Sequence, residues 1–298
     1  MPTNARALHW VFKIGSRTKT IDFYLNILNM QILRHEEFEE GCDAACNGPY
    51  DGKWSKTMVG YGDEDNNFVV ELTYNYGIRS YELGNDFNYL FIKSNQAIES
   101  IKNKNYPHTV RSDESYEIKD PNGYTFLVAA NDSNVTTSKL IGLSLHCSNI
   151  QNSTNYWSNI LKGKVESQTD SDVSFSFDSS PFRLNLLLSK EPVNHAKAFG
   201  RVAFSCPTDQ LKPLQEEMDK LNLTILTRFI ELKTPGKADV CVVILADPDG
   251  HEICWVGDEG FRELSKFDPK ARGLLDEAIL NDKSDEWHEK KNKKNASN

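Results

Sequence analysis

Several features are missing from this 298-residue sequence, and each absence argues against a class of protein. No apolar run approaches the roughly 18–20 residues that a membrane-spanning helix needs. Basic residues are too few for a nucleic-acid partner, because 34 Lys and Arg stand against 43 Asp and Glu, giving a net charge of −9. No secretory signal precedes the strand-like segment at residues 7–14, and six scattered cysteines form no disulfide framework. We therefore expect a cytoplasmic protein with reduced thiols that acts on a small molecule. Mitochondrial association and protein partners are left open.

What the sequence does contain is a duplication. Residues 21–28 (IDFYLNIL) resemble residues 154–161 (TNYWSNIL), and residues 120–123 (DPNG) resemble residues 247–250 (DPDG). The polar stretch at residues 131–138 lies between the two halves and is typical of a linker. The sequence therefore predicts three segments: an N-terminal domain at 1–130, a C-terminal domain at 139–257, and a C-terminal helix and tail at 258–298.

Within each half, the order strand, helix and three strands occurs twice. In the first half, strands are predicted at 7–14, 30–38, 54–61, 68–74 and 87–93, with a helix capped by Ser16 and a second helix at 96–104. Residues 258 to 280 are predicted to form one helix, packed through a stripe of Phe261, Leu264, Leu274, Leu275 and Ile279. The fold class is α+β, with two tandem domains built from paired β-α-β-β-β modules.

Two of the predicted strands carry polar residues on one face only. Alternation in the first strand gives an apolar face that packs under the helices: Leu8, Trp10, Phe12 and Ile14. The same holds for the strand at 68–74, where Phe68, Val70, Leu72 and Tyr74 alternate. His9 and Glu71 then lie on the opposite side, and a curled sheet would bring them into one cavity. Alternation alone favours a simpler interpretation, in which this face is merely exposed to water.

Several segments resemble proteins of known type. The segments that resemble the opening of a glyoxalase I subunit are residues 9–14 (HWVFKI), 21–30 (IDFYLNILNM), 59–62 (VGYG), 70–77 (VELTYNYG) and 81–84 (YELG). Residues 34–41 (RHEEFEEG) and 261–266 (FRELSK) extend the similarity over nearly the whole chain, to glyoxalase domain-containing proteins. The resemblance implies the tandem fold of the vicinal oxygen chelate superfamily, whose paired modules match the predicted element order.

The resemblance also implies an activity and part of a site. Glyoxalase I isomerises the hemithioacetal of methylglyoxal and glutathione to S-lactoylglutathione, a methylglyoxal detoxification that uses a divalent zinc or nickel ion. His9 and Glu71 fall on two metal-ligand positions, while Lys13 and Asn75 fall where the family contacts the carboxylates of its co-substrate glutathione. Lys13 replaces an Arg, so a point charge replaces bidentate recognition.

The family's second pair of ligands is absent. Its positions hold Tyr89 and Leu127 in the first half, and Arg201 and Cys254 in the second half. The second copy of the first pair has become Gly142 and Asn185. Pairing across the halves leaves three implied metal ligands, His9, Glu71 and Cys254. Arg201 would lie beside them, and a guanidinium close to a divalent ion is unfavourable.

Three functions are compatible with a protein of this fold. In the first, a lactoylglutathione lyase, Glu71 is a base or ligand and Arg201 stabilises the enediolate in place of lost metal charge. The alternative is a non-catalytic or divergent protein of the same fold that binds a small ligand or a protein partner. An extradiol dioxygenase would need a second histidine at a ligand position, and none aligns there. His251 is interpreted as a turn-exit residue, and a zinc site at Cys42 and Cys46 has little support.

Overall fold

The computed structural model describes residues 4–41, 52–132, 134–135, 137–177, 180–234 and 236–289. Cys42 and Cys46 lie outside these ranges, as does the Lys-rich end of the chain. Within them, none of the helices is long and apolar enough to cross a membrane.

The chain forms four modules, each with the predicted order of one strand, one helix and three strands. The first contains β1 (Arg6–Ile14), α1 (Arg17–Asn26), β2 (Gln31–Phe38), β3 (Trp54–Gly60) and β4 (Val69–Asn75). The second contains β5 (Phe87–Lys93), α2 (Asn95–Asn103), β6 (His108–Val110), β7 (Tyr116–Lys119) and β8 (Thr125–Ala129). The third contains β9 (Lys139–Cys147), α3 (Ile150–Thr154, continued by a π-helical turn Asn155–Ile160), β10 (Lys164–Gln168), β11 (Asp172–Ser176) and β12 (Arg183–Leu188). The fourth contains β13 (Arg201–Cys206), α4 (Leu211–Lys220, after a 3-10 turn Thr208–Gln210), β14 (Ile225–Leu232), β15 (Val240–Ala246) and β16 (Glu252–Gly257), and is followed by α5 (Asp258–Leu264) and α6 (Ala271–Asn281).

The strands form two eight-stranded sheets. Their orders are β14-β15-β16-β13-β1-β4-β3-β2 and β10-β11-β12-β9-β5-β8-β7-β6. The first sheet joins the first and fourth modules, and the second sheet joins the second and third. The predicted α+β fold of paired modules is confirmed. Each sheet combines one module from before residues 131–138 with one module from after them. The two sheets therefore do not correspond to segments 1–130 and 139–257, and that division of the chain stays a prediction.

Helices cover one face of each sheet and create the main core. Trp10, Phe12 and Ile14 of β1 are buried there together with Val70 and Leu72 of β4. This is the alternation predicted for both strands. The side chain of Ser16 accepts a hydrogen bond from the backbone N–H of Lys19 and so caps α1, as expected. The opposite face of the first sheet is therefore left for polar side chains.

Leu8 departs from the predicted alternation. We expected it to pack with Trp10, but it lies in a separate apolar cluster with Ala203, Val242 and Phe261. The pairing of β1 with β13 shifts register between Ala7 and His9, which marks a β-bulge. A bulge inserts one extra residue and turns the side chains before it to the other face. The expectation for Leu8 was therefore wrong.

The C-terminal segment also differs from its prediction, because it forms two helices instead of one. Pro269 lies between α5 and α6, and proline cannot continue a helix since it lacks an N–H and clashes with the preceding turn. Phe261 and Leu264 of α5 and Leu275 of α6 are buried, as predicted, whereas Leu274 is exposed. The two helices cover different parts of the first sheet, since α5 contacts β13, β15 and β16 while α6 contacts β2.

Candidate active site

His9 and Glu71 meet on the face of the first sheet that the main core leaves uncovered. β1 and β4 are adjacent and parallel, and Val11, two residues after His9, lies opposite Glu71. The His9 Nε2 and Glu71 Oε2 atoms are 3.5 Å apart, and both side chains are largely buried. The structure thus brings together the two residues on which the predicted site depends. Their roles as ligand and base stay predictions.

The imidazole of His9 is neutral near pH 7. Burial holds its pKa well below 6.5, and nearby positive charges lower the pKa further, namely those of Arg34, Lys56, Arg201 and Arg6. Its Nδ1 atom is buried and has no hydrogen-bond partner in the described part of the chain. The ring centroid lies 6.0 Å from that of Phe261 on α5. His9 is therefore an uncharged group that faces Glu71 through Nε2.

Arg201 and Cys254 occupy, in the fourth module, the places that His9 and Glu71 occupy in the first. Ala203, two residues after Arg201, lies opposite Cys254 in the parallel pair of β13 and β16. The antiparallel pair at the centre of the sheet sets His9 opposite Ala203. All four positions consequently share one face, as the resemblance implied.

A carboxylate that the sequence analysis did not single out, Glu252, holds Arg201. The Nε and Nη2 atoms of Arg201 donate to Glu252 Oε2 at 2.8 and 2.6 Å. Glu252 lies opposite Arg201 and two residues before Cys254, so it points to the same face. The alternation of residues 252–256 could have revealed it, but only after β16 was paired with β13.

A buried charge network lies beside this site. Arg34 donates to both oxygens of Glu64, at 2.6 and 3.1 Å, and to Glu36 at 3.0 Å. Lys237 adds a hydrogen bond of 2.9 Å to Glu36. Burial alone would raise the pKa of Glu36, but the charges of Arg34, Lys56 and Lys237 lower it to about 2. The members of this network come from three distant parts of the chain, so no local sequence pattern predicts it.

Lys13 and Asn75, the predicted glutathione contacts, lie at the far ends of β1 and β4. The Nζ atom of Lys13 lies 3.0 Å from the centroid of the Phe199 ring and 3.4 Å from the carbonyl oxygen of Lys197. Asn75 Nδ2 donates to the hydroxyl of Tyr81 at 2.8 Å, while Asn75 Oδ1 is buried with no partner in the described residues. Both residues are on the predicted face, and their contact with glutathione stays a prediction.

The donor set does not fit the divalent ion that the resemblance implies. Catalytic zinc sites use three protein ligands. The separation of His9 from Glu71 suits two ligands of one ion, but the ligand atoms of His9, Glu71 and Cys254 do not all lie within 4.8 Å of one another. Burial raises the pKa of the Cys254 thiol to about 11, and the nearby charge of Arg201 opposes that rise. The remaining ligand position holds the guanidinium of Arg201.

A cluster that the sequence pattern did not reveal joins two segments that connect modules to the turn between β15 and β16. Asp86, His195 and His251 place ligand atoms within 4.8 Å of one another. His195 Nδ1 is 2.8 Å from Asp86 Oδ2, and His195 Nε2 is 2.9 Å from the carbonyl oxygen of Asp249. The hydrogen bond to Asp86 raises the pKa of His195. Both ring nitrogens of His195 face oxygen acceptors, and these contacts tie Asp86 to the turn that holds Asp249. His251, predicted to be a turn-exit residue, is buried in it.

The second sheet lacks a comparable set of side chains. Its equivalent positions hold Gly142, Asn185, Tyr89 and Leu127, as the pairings of β9 with β12 and of β5 with β8 and β9 show. None of the four supplies an imidazole, thiolate or carboxylate. Imidazole, thiol and carboxylate groups at these equivalent positions are thus confined to the first sheet.

Comparisons with known proteins agree with this architecture. Residues 149–264 match the sequence profile of the family described as glyoxalase domain-containing protein 4-like, C-terminal domain. Glyoxalase domain-containing protein 4 of Rattus norvegicus is 51% identical over 294 residues, covering 98% of each chain. Glyoxalase 1 of Caenorhabditis elegans is 47% identical over 283 residues, covering 95% of this chain and 99% of its own.

A solved structure supports the fold at a greater distance. The crystal structure of glyoxalase I from Zea mays superposes with a TM-score of 0.69, at 21% identity, and covers 87% of this chain and 94% of that one. At this level of identity the likeness concerns the fold alone. The animal relatives match nearly the whole chain at about half identity. The chain therefore belongs to the glyoxalase domain-containing protein 4 family, which has the glyoxalase I-like vicinal oxygen chelate fold.

Proposed function

We propose that the chain is a glyoxalase I-type isomerase, a lactoylglutathione lyase that converts the hemithioacetal of methylglyoxal and glutathione to S-lactoylglutathione. The reaction would take place on the face of the first sheet where His9 and Glu71 meet. The observation that carries the proposal is the 3.5 Å separation of His9 Nε2 and Glu71 Oε2 on adjacent parallel strands. The name of the C. elegans relative, glyoxalase 1, supports the same reaction class.

The reaction needs one base that can return the proton it takes. The Glu71 carboxylate removes the proton from C1, the carbon that bears the sulfur and the hydroxyl. The electron pair of that bond forms C1=C2, and the carbonyl oxygen on C2 becomes the enediolate oxygen. The protonated Glu71 then gives its proton to C2, while the hydroxyl proton of C1 moves to the oxygen on C2. Two hydrogens change place, none is gained or lost, and a thioester carbonyl remains at C1.

The other side chains of this face orient and stabilise the reacting atoms. His9, neutral and in contact with Glu71, fixes the direction of the carboxylate. Arg201 presents its charge to the enediolate oxygen, and a donor aimed at a developing oxyanion is typically worth about 10²–10³ in rate. Lys13 and Asn75 contact the carboxylates of glutathione. No step is assigned to a divalent ion, because the donor set does not fit one.

Turnover of the hemithioacetal by the full chain tests the proposal. Formation of S-lactoylglutathione is followed for the wild type, for Glu71→Gln and for Asn185→Ala. Glu71→Gln keeps the shape of the side chain but cannot take a proton, so we expect kcat to fall by roughly 10²–10⁴. Asn185→Ala, at the matching position of the second sheet, should stay within about twofold of the wild type. Equal rates for wild type and Glu71→Gln would remove Glu71 from the mechanism.

A second function, binding without catalysis, is favoured by one observation. Two of the four ligand-type positions on the first sheet and all four on the second lack the family's ligands. If the wild type shows no turnover, titration calorimetry with a stable S-conjugate of glutathione distinguishes a binding protein from one that has lost both catalysis and binding. A binding protein should hold the conjugate and lose affinity in Lys13→Ala. Absence of binding would contradict both functions.

A further inference from the structure

At the position of the family's third metal ligand, the first sheet carries a positively charged side chain, which repels a metal ion. Arg201 is a cation, and the two hydrogen bonds to Glu252 Oε2 fix its guanidinium on the same face as His9 and Glu71. The ion pair is partly buried, since both side chains are 18% exposed. A guanidinium in this place both fills space and opposes a second positive charge.

We infer that this face binds its ligand without a divalent ion, and that Arg201, positioned by Glu252, supplies the positive charge to a ligand oxyanion. The ligand class is a small molecule with an enediolate, hydroxamate or carboxylate oxygen next to a thioether-linked peptide. This inference rests on the proposed function and deepens it, since it names what stabilises the charge. Glu252 is a positioning residue, because it acts through Arg201.

The number of ligands supports the inference. An ion here would need a third protein donor beyond His9 and Glu71. Among the described residues, no His, Cys, Asp or Glu completes such a group at this face, and the one set of three within 4.8 Å is Asp86, His195 and His251. The inference therefore rests on the positions of the possible ligand side chains on the first sheet.

The pairing with Glu252 supports a role in orientation. Glu252 contacts Nε and Nη2 through a single oxygen, and strand pairing fixes its distance from Arg201. A donor held in place before the reaction costs no reorganisation when charge develops. The carbonyl oxygen at the reacting centre gains negative charge only when the proton is removed, so Arg201 stabilises the transition state more than the bound substrate.

Zinc binding tests the inference without relying on activity. The full chain is stripped with a chelator, loaded with Zn²⁺, passed through a desalting column, and its zinc content is measured. The wild type should retain no zinc at this face. The double variant Arg201→His with Cys254→Glu places ligand types at all four positions. It should bind zinc at least roughly 100-fold more tightly than the wild type, because even outer partners of a zinc site are worth about 10–100-fold. If the double variant does not fold, Arg201→His alone adds the third ligand.

Two controls assign any zinc that the wild type retains. Zinc that is lost in His195→Gln lies at the Asp86 cluster, which supports an ion-free first sheet. Zinc that is lost in His9→Ala and kept in His195→Gln lies at the proposed face, and that result would overturn the inference.

Kinetics test the roles of Arg201 and Glu252. Turnover by the stripped wild type should stay within about twofold of the untreated protein, and Arg201→Met should lower kcat by roughly 10²–10³. Glu252→Gln should lower kcat more than it changes KM, and Glu252→Asp should recover part of the loss, which a purely structural role does not predict. Loss of turnover on stripping with recovery on adding zinc would overturn the inference, as would an unchanged kcat in Arg201→Met.

Failure of the proposed function is distinguishable from failure of this inference. A wild type without turnover contradicts the isomerase, while zinc content still decides whether the face holds an ion. Calorimetry with a hydroxamate conjugate of glutathione then replaces kcat. Arg201→Met should weaken binding at least about tenfold, and equal affinity would overturn the role of Arg201.

Discussion

The two sheets have equivalent strand orders, but only the first carries an imidazole, a carboxylate, a guanidinium and a thiol at the four equivalent positions. On the first sheet these are His9, Glu71, Arg201 and Cys254, and on the second they are Gly142, Asn185, Tyr89 and Leu127. The apolar faces under the helices are alike, because each sheet must bury them to fold. The opposite faces carry no such requirement, so one fold supports different sets of side chains at the four equivalent positions.

The outer strands β2 and β10 differ as well. Most of β2 is buried and most of β10 is exposed. α6 packs against β2, and the segment after it is anchored by Asp282, which accepts hydrogen bonds of 2.8 Å from Arg17 and from the hydroxyl of Tyr74. The chain beyond the fourth module thus covers the edge of the first sheet, and the charges near the site lie in a drier environment than any on β10.

Removing Arg34 should have the greatest effect on stability. Arg34→Met leaves Glu64 and Glu36 buried without their main partner, and breaking a buried ion pair in this way typically costs about 3–5 kcal/mol. The free energy of unfolding is measured by urea denaturation at pH 7.

Arg183→Met on the second sheet is the matched control. Arg183 donates to the backbone carbonyls of Ser180 and Phe182, so its loss should cost about 1 kcal/mol. An equal loss of unfolding free energy in Arg34→Met and Arg183→Met would contradict this. The first sheet would then depend on its buried ion pairs no more than the second sheet depends on the hydrogen bonds of Arg183.

Acid should weaken the first sheet through Glu36. Its pKa of about 2 lies below its ordinary value of 4.5, so the carboxylate contributes stability above pH 4.5 and loses it as the pH falls towards 2. The difference is worth roughly 3 kcal/mol. In Glu36→Gln, the free energy of unfolding should depend less on pH in this window. Glu166→Gln on the exposed strand β10 is the control and should keep nearly the wild-type slope. An unchanged slope in Glu36→Gln would contradict the cause given for its low pKa.

Lys13 should have the smallest effect, and on substrate binding alone. Lys13→Ala removes a partly exposed charge worth about 1 kcal/mol, so KM should rise about fivefold with kcat unchanged. Lys93 lies four residues after Tyr89, as Lys13 lies four after His9, and pairs with Asp132. Lys93→Ala should leave KM unchanged. A similar rise in both variants would show a general charge effect instead of a contact with glutathione.

The sequence predicted the parts of this structure that follow from local pattern. Alternation placed Trp10 and Val70 in the core and His9 and Glu71 on the other face, and the duplication predicted paired modules. The pattern could not show the bulge that turns Leu8, because a bulge depends on the partner strand. Glu252 could not be identified for a similar reason, since its contact with Arg201 depends on the pairing of β16 with β13. The Arg34–Glu64 pair could not be identified because Glu64 lies in the loop between β3 and β4.

The position of a bound ligand would decide between the two faces. A crystal structure of the full chain with a hydroxamate conjugate of glutathione, which mimics the enediolate, gives that position. We predict that the hydroxamate oxygens lie between Glu71 and Arg201, with the peptide directed towards Lys13 and Asn75. A ligand located between Tyr89 and Asn185 on the second sheet, or no ligand at either face, would contradict the proposed site.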